Sequence, residues 1–226
     1  MVMASRRVNR PAELADEVKK TENTEHTTTK SATAPPDAPA ARHTHRLPAT
    51  VREFYDWLPA LPHLKVEIIN GRVIVSPRSN PEQAWCVTLL IEALLPVARR
   101  NGWRVWPELD TCIAGTREPL APDLAMGPKD APRWGDREVL SDGLILVAEV
   151  VSPTSRREDR EDKPLIYARG GVPLMLVIDP EPATITLYSR PTSDGYRTTT
   201  TVKMGDELHI PEPVNITLDT SVFLEA

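Results

Sequence analysis

Two cysteines in 226 residues, Cys86 and Cys112, form no CxxC pair and are too few to build a zinc cage. Reduced thiols packed in a core are the expectation, and with them a cytoplasmic address. No apolar run approaches the roughly 18–20 residues that a membrane-crossing helix needs. The opening MVMASRRVNR leads into polar residues instead of an apolar export segment, so neither secretion nor membrane insertion is expected. A nucleophile elbow, a glycine-rich phosphate loop and HExxH are all missing, which leaves serine-hydrolase, dinucleotide and zinc-protease readings without support. Basic excess is lacking as well: 27 Lys and Arg stand against 32 Asp and Glu, a formal net charge of −5. The first 46 residues hold 8 basic and 6 acidic side chains, leaving 19 and 26 for the remainder. So acidic a body does not grip phosphate by charge alone. Nucleic-acid binding would need a local basic patch or bound divalent cations.

What is present is an ordinary globular composition, 40% apolar and 26% charged, enough for one core. Residues 1–46 fall outside it. They carry Thr27-Thr28-Thr29, the proline-rich run from Ala34 to Pro39 and almost no large apolar side chains, so they read as a disordered tail. Residues 47–226 read as one domain. Val51, Phe54, Tyr55 and Leu58 recur at helical spacing. VEIINGRVIV is two β-rich runs around Asn70-Gly71, a tight-hairpin dipeptide. Asn80-Pro81-Glu82-Gln83 has the form of a helix start with a capping box, and Asn101-Gly102 closes that helix. Strand-like segments follow, RVWPEL, TCIAG and PLAPDLAM, then a polar loop over 127–142 that carries Trp134, Arg133 and Arg137. LILVAEVV is suited to a strand covered on both faces, and LMLVID to another. Asp162-Lys163-Pro164 opens a short helix between them. TITLYS adds a further strand, and YRTTTTV and the run near Ile210 add weaker edge strands. This order indicates an α/β (α+β) fold with a mixed sheet.

Glu149 is the informative residue, because an ionised carboxylate within Leu144–Val151 faces several kcal/mol of desolvation unless paired. Two readings stand open: it lies on the solvent face of an edge strand or pairs with a core arginine, or it is kept for chemistry. Asp123, after Pro122, is either an ordinary strand-end aspartate or its partner. Two carboxylates from neighbouring strands can converge on Mg²⁺, which accepts one or two carboxylates and keeps several waters. Lys163 is the candidate ammonium to orient an attacking water or offset transition-state charge, its alternative being an exposed lysine among Arg156, Arg157, Arg160 and the acids Glu158–Asp162. Trp85, Trp103 and Trp106 are expected in core or edge packing, and Trp134 is the better substrate-contact candidate.

Pro122-Asp123, Glu149-Val150-Val151-Ser152-Pro153, Asp159-Arg160-Glu161-Asp162-Lys163-Pro164, Tyr167 and Gly171-Val172-Pro173, in that order, resemble the Uma-two family of restriction endonucleases. That family lies within the PD-(D/E)XK nuclease superfamily. The opening Val66-Glu67-Ile68-Ile69-Asn70-Gly71 and Val75-Ser76-Pro77 are similar to its leading hairpin, so the resemblance covers roughly residues 50–220. It implies a restriction-endonuclease-like mixed sheet flanked by helices, and a nuclease that hydrolyses DNA with Mg²⁺, or Mn²⁺, through metal-activated water. It implies Asp123 and Glu149 as metal ligands, the Val150 carbonyl as a third, and Lys163 as the catalytic lysine. Glu67 is implied as a further metal or water ligand, or else as a solvent-facing hairpin residue. The superfamily's lysine two residues after the glutamate is absent, since that position is Val151, so Lys163 must reach the site from the next helix. A homodimer is the superfamily's habit for cutting two strands. The competing expectation is a nuclease-like domain without catalysis that binds nucleic acid or protein.

Overall fold

Thr50 accepts a hydrogen bond from the Glu53 N–H and starts helix α1 (Val51–Trp57). In this computed structural model the described residues are 48–58, 61 and 64–225. The expected tail, residues 1–46, lies outside them. Helix α1 buries none of its side chains, and Val51, Phe54 and Trp57 are exposed.

Strands β1 (Leu64–Ile69) and β2 (Arg72–Pro77) form the expected antiparallel hairpin. Its turn residues Asn70 and Gly71 have φ of 51° and 72°, the left-handed pair that a two-residue turn demands. Strand alternation puts Lys65, Glu67 and Ile69 on one face of β1. Helix α2 (Pro81–Asn101) begins with a complete capping box, in which Asn80 and Gln83 bond each other's backbone N–H, and ends on Gly102 at φ 69°. Its buried stripe is Cys86, Val87, Leu90, Leu94, Val97 and Ala98.

Strand β3 (Trp103–Pro107) leads to β4 (Thr111–Cys112), β5 (Pro119–Leu120) and β6 (Leu124–Pro128). Between β6 and β9 (Leu146–Val150) lie β7 (Arg133–Trp134) and β8 (Glu138–Leu140). The polar loop expected over 127–142 is therefore partly structured, its short strands joining β4 and β5 in a four-stranded sheet ordered β5-β4-β8-β7. Strands of two or three residues show no alternation, so the segment looked irregular. A five-residue π-helical turn, Glu158–Asp162, runs into helix α3 (Lys163–Arg169). Strand β10 (Leu174–Asp179), then β11 (Thr184–Thr192) and β12 (Gly195–Lys203) follow. Strands β13 (Glu207–Ile210) and β14 (Ile216–Asp219) pair only with each other, forming their own hairpin instead of an edge of the main sheet.

The main sheet has the order β12-β11-β10-β9-β6-β3. Only β9 and β10 are parallel, joined through α3, and every other pair is antiparallel. This is the mixed α/β architecture expected, with β9 in the sheet interior. One core joins α2 and the β13–β14 hairpin to the face carrying Leu146, Ala148, Val150, Leu174, Leu176 and Ile178. A second covers the opposite face, where Val147, Val151, Met175 and Val177 meet Ile166 and Tyr167 of α3 and Ile69 of β1. Among the described residues no helix is long and apolar enough to cross a membrane.

Replacing Asn80 by Ala removes the cap on α2, and unfolding in urea should show a loss of about 1 kcal/mol. Unchanged stability would mean that packing alone holds this helix start.

Candidate active site

Every position of β9 is buried, and alternation sends Glu149 to the α3 face together with Val147 and Val151. With β10 on one side and β6 on the other, Glu149 is not on an edge strand, and its side chain is 1% exposed. Nor, among the described residues, does an arginine pair with it. Its partners come from α3: Tyr167 Oη donates to Glu149 Oε1 at 2.9 Å, and Lys163 Nζ stands 2.9 Å from Oε2. Asp159, Lys163 and Tyr167 recur every four residues and so share one helical face. Asp159 Oδ1 lies 2.9 Å from Lys163 Nζ, and the Ser155 hydroxyl donates to the other Asp159 oxygen. Lys163 is thus buried, at 3% exposure, and is no solvated member of a charge run.

Asp123 enters from the neighbouring strand. The register that pairs Leu124 with Ala148 brings Asp123 alongside Glu149. The Val150 N–H donates to Asp123 Oδ2 at 2.7 Å, while Lys65 Nζ stands 3.2 Å from Oδ1. Glu67, on β1, is buried: its Oε1 accepts from the Ala121 N–H at 3.0 Å and lies 3.4 Å from Lys163 Nζ. A hairpin glutamate facing solvent is therefore not what the fold builds. Asp123, Glu149, Glu67 and Lys163 all line one cavity of about 210 Å³.

Four further residues of this centre escaped the sequence reading as site residues. Lys65 Nζ is also 3.8 Å from Glu149 Oε2, which places it between the two carboxylates. Its signal was visible, because in LKVEII the lysine lies two residues before Glu67 and so on the same strand face. Asp159 and Tyr167 were each four residues from Lys163, the spacing that aligns side chains on a helix. Gln83 Nε2 donates to the Val150 carbonyl at 3.1 Å, so that oxygen already has a partner. Nothing in the local pattern around Gln83 pointed there, since its capping role accounted for it.

The charges do not balance. Glu67, Asp123, Glu149 and Asp159 face Lys65 and Lys163, a formal surplus of two negative charges in a poorly hydrated space. Burial pushes the Glu149 carboxyl up to about 8, with Lys163 and Lys65 pulling it back only in part. Burial raises Asp159 as well. For Lys163 burial opposes the charge, yet Glu149, Glu67, Asp159 and Asp123 outweigh it and hold the ammonium well above its usual range. Lys65 is raised in the same way against burial and the repulsion of Lys163. Burial and the adjacent carboxylates keep Tyr167 neutral, as a donor must be. Among the described residues no three His, Cys, Asp or Glu side chains converge as a ready-made ion cage. Any ion held here would rest on one or two carboxylates and water, the habit of Mg²⁺.

The aromatic expectations divide. Trp103 and Trp106 are half-buried and pack against the two cores, but Trp85 is 48% exposed on the outer side of α2, so its packing expectation is corrected. Residue 85 precedes the buried pair Cys86 and Val87, and the helix turns it outward. Trp134 is exposed with the Arg117 guanidinium 4.2 Å from its ring centroid, and neither Trp134 nor Arg133 lines the cavity of Glu149.

A mixed sheet with an acid pair and a buried lysine at the end of its interior strands places the chain among nuclease-like α/β folds. A family described as "Putative restriction endonuclease", the Uma2 family, matches residues 51–222, and the chain belongs to it. None of the curated proteins matches. Among solved structures, one similar chain is described as "a putative nuclease belonging to DUF820 from Anabaena variabilis". It is 20% identical at a TM-score of 0.62, covering 79% of this chain and 98% of that one. At that identity the likeness concerns the fold.

Two outcomes follow. Without added metal, the wild type should lose melting temperature relative to Glu149→Gln as pH rises from about 4.5 to about 8, because a carboxyl whose folded pKa is raised is stabilising only while protonated. A wild type that gains on the variant over this range would show the lysine pairs winning instead. Lys163→Met leaves three buried carboxylates without their ammonium and should cost about 3–5 kcal/mol in denaturant unfolding. A loss below 1 kcal/mol would contradict the pairing described.

Proposed function

We propose that this protein is a metal-dependent endonuclease that hydrolyses DNA phosphodiester bonds, with Asp123 and Glu149 as ligands of Mg²⁺, or Mn²⁺ in its place. One observation carries the reading: Asp123, Glu149, Glu67 and Lys163, drawn from four separate segments, line a single cavity in which the carboxylates of Glu67, Asp123, Glu149 and Asp159 outnumber the cations Lys65, Arg78 and Lys163. A divalent cation would offset that acidic surplus. The donors fit a hard ion, since both are carboxylates and Glu149 Oε2, with Lys163 Nζ 2.9 Å away, has no formed hydrogen bond among the described residues. Membership of a nuclease family and a nuclease-like fold support the same reading.

Such an ion would polarise a phosphoryl oxygen and make a bound water more acidic. The remaining work falls to the chain. Tyr167 fixes Glu149 Oε1 and so presents Oε2 to the cavity. The Val150 N–H fixes Asp123 Oδ2 and leaves Oδ1 toward the same space. Lys163 supplies positive charge beside Glu149, where it offsets the charge that gathers on the phosphoryl oxygens and on the leaving oxygen. Glu67 sets Lys163 in place and lines the cavity that the attacking water must enter.

Purified protein with supercoiled plasmid and Mg²⁺ or Mn²⁺ should give nicked and linear product, abolished by chelation. Glu149→Gln and Asp123→Asn should each be slower by about 100-fold or more. Equal cutting by Glu149→Gln would assign the activity to a contaminant. Retained DNA binding with no cutting under either metal would favour a non-catalytic binding domain.

A further inference from the structure

The two ammonium groups of the centre are held very differently. An ammonium has three N–H donors, and Lys163 Nζ has three carboxylate oxygens around it: Glu149 Oε2 and Asp159 Oδ1 at 2.9 Å, Glu67 Oε1 at 3.4 Å. Its side chain is 3% exposed on a buried helical face. Turning Lys163 toward a substrate would strand three buried acids, so its charge is committed to the protein. Lys65 has one close partner, Asp123 Oδ1 at 3.2 Å, with Glu149 Oε2 beyond hydrogen-bond reach at 3.8 Å. Its side chain is 12% exposed, and it lines two cavities at once. One is the cavity of Glu149. The other, of about 220 Å³, is lined also by Leu64, Arg78, Glu108, Asp110 and Arg137. A four-carbon stem with a compact charge at its tip has room to move from one to the other.

Resting on the endonuclease reading, we propose that Lys65 is a catalytic residue in its own right: a displaceable counter-ion that bridges Asp123 and Glu149 until a divalent cation takes them, and then meets the scissile phosphate. The position of its ammonium motivates the first half, since it stands between the two carboxylates that a bridging ion would claim. Two cations cannot share that place, and the adjoining cavity offers the ammonium its exit. The second half follows from supply. Once released, the Lys65 ammonium is free to meet a non-bridging phosphoryl oxygen, whereas that of Lys163 stays enclosed by three carboxylates. No covalent step is involved; the ammonium gives hydrogen bonds and charge. Lys163 then acts from its fixed place, by its charge and by holding Glu149, and Glu67 acts by holding Lys163.

The test uses the full-length protein with Mg²⁺ and Mn²⁺ themselves. Lysine acetylation by a soluble reagent, read residue by residue by mass spectrometry, should rise severalfold at Lys65 on saturation with Mg²⁺ while Lys163 stays protected. Lys65→Met should bind Mn²⁺ in calorimetry at least as tightly as the wild type, and cleave plasmid about 100-fold more slowly at saturating Mn²⁺. Labelling of Lys65 that is unchanged or reduced by Mg²⁺, weaker Mn²⁺ binding by Lys65→Met, or full cleavage by that variant would each overturn the role of Lys65 and leave the endonuclease reading standing. A wild type that binds cation but cuts no DNA would overturn the endonuclease reading, with the displacement still decided by labelling. Absence of cation uptake would overturn both.

Discussion

A carboxylate in the middle of an otherwise apolar interior strand is the constraint around which this half of the molecule is arranged. Glu149 cannot reach water from β9, so the protein must bring cations and donors to it. Three elements answer that need. Helix α3 carries Lys163 and Tyr167 across the strand, β1 adds Lys65, and the start of β6 adds Asp123, whose own oxygen is tied to the backbone one residue beyond Glu149. Each new charge then requires its own compensation, which brings in Glu67 and Asp159. The result is an ionic cluster in which each charge answers another and whose formal charges still fail to cancel.

The source of the amine explains the local sequence. A lysine at position 151 would share the face of Glu149, as strand alternation requires. That position is Val151, packed in the second core with Ile166 and Tyr167. The strand keeps its apolar character to its end, and the positive charge arrives from the helix that covers it. Placing Asp159, Lys163 and Tyr167 four residues apart lets one helical face supply an ammonium and a hydroxyl to Glu149 and an acid to hold that ammonium.

Much of this was legible in the amino-acid order because local rules acted without competition. Asn70-Gly71 demanded a hairpin, Asn80 to Gln83 demanded a helix start, and an acid inside LILVAEVV demanded an explanation. The convergence of Asp123, Glu149 and Lys163 was reached through the family resemblance and the spacing of their segments. Other features depended on tertiary placement. Glu67 left both readings open until the fold set β1 against the Ala121 backbone. Lys65 drew no reading of its own, since a strand's two faces cannot be told apart before the partner that covers one of them is known. The strands β7 and β8 were too short to show a period, and Trp85 was misplaced because one turn of helix carries both a buried and an exposed side chain.

The centre draws on residues 65–67, 123, 149 and 159–167, so it is incomplete until α3 has been made. A nascent chain emerging only to β9 would already display three of the four acids, but Lys65 would be their sole counter-charge. The strand that should lie innermost would therefore carry its least tolerable group naked. The helix that covers this face of the sheet is the same one that neutralises it, so closing the core and completing the charged centre draw on one element.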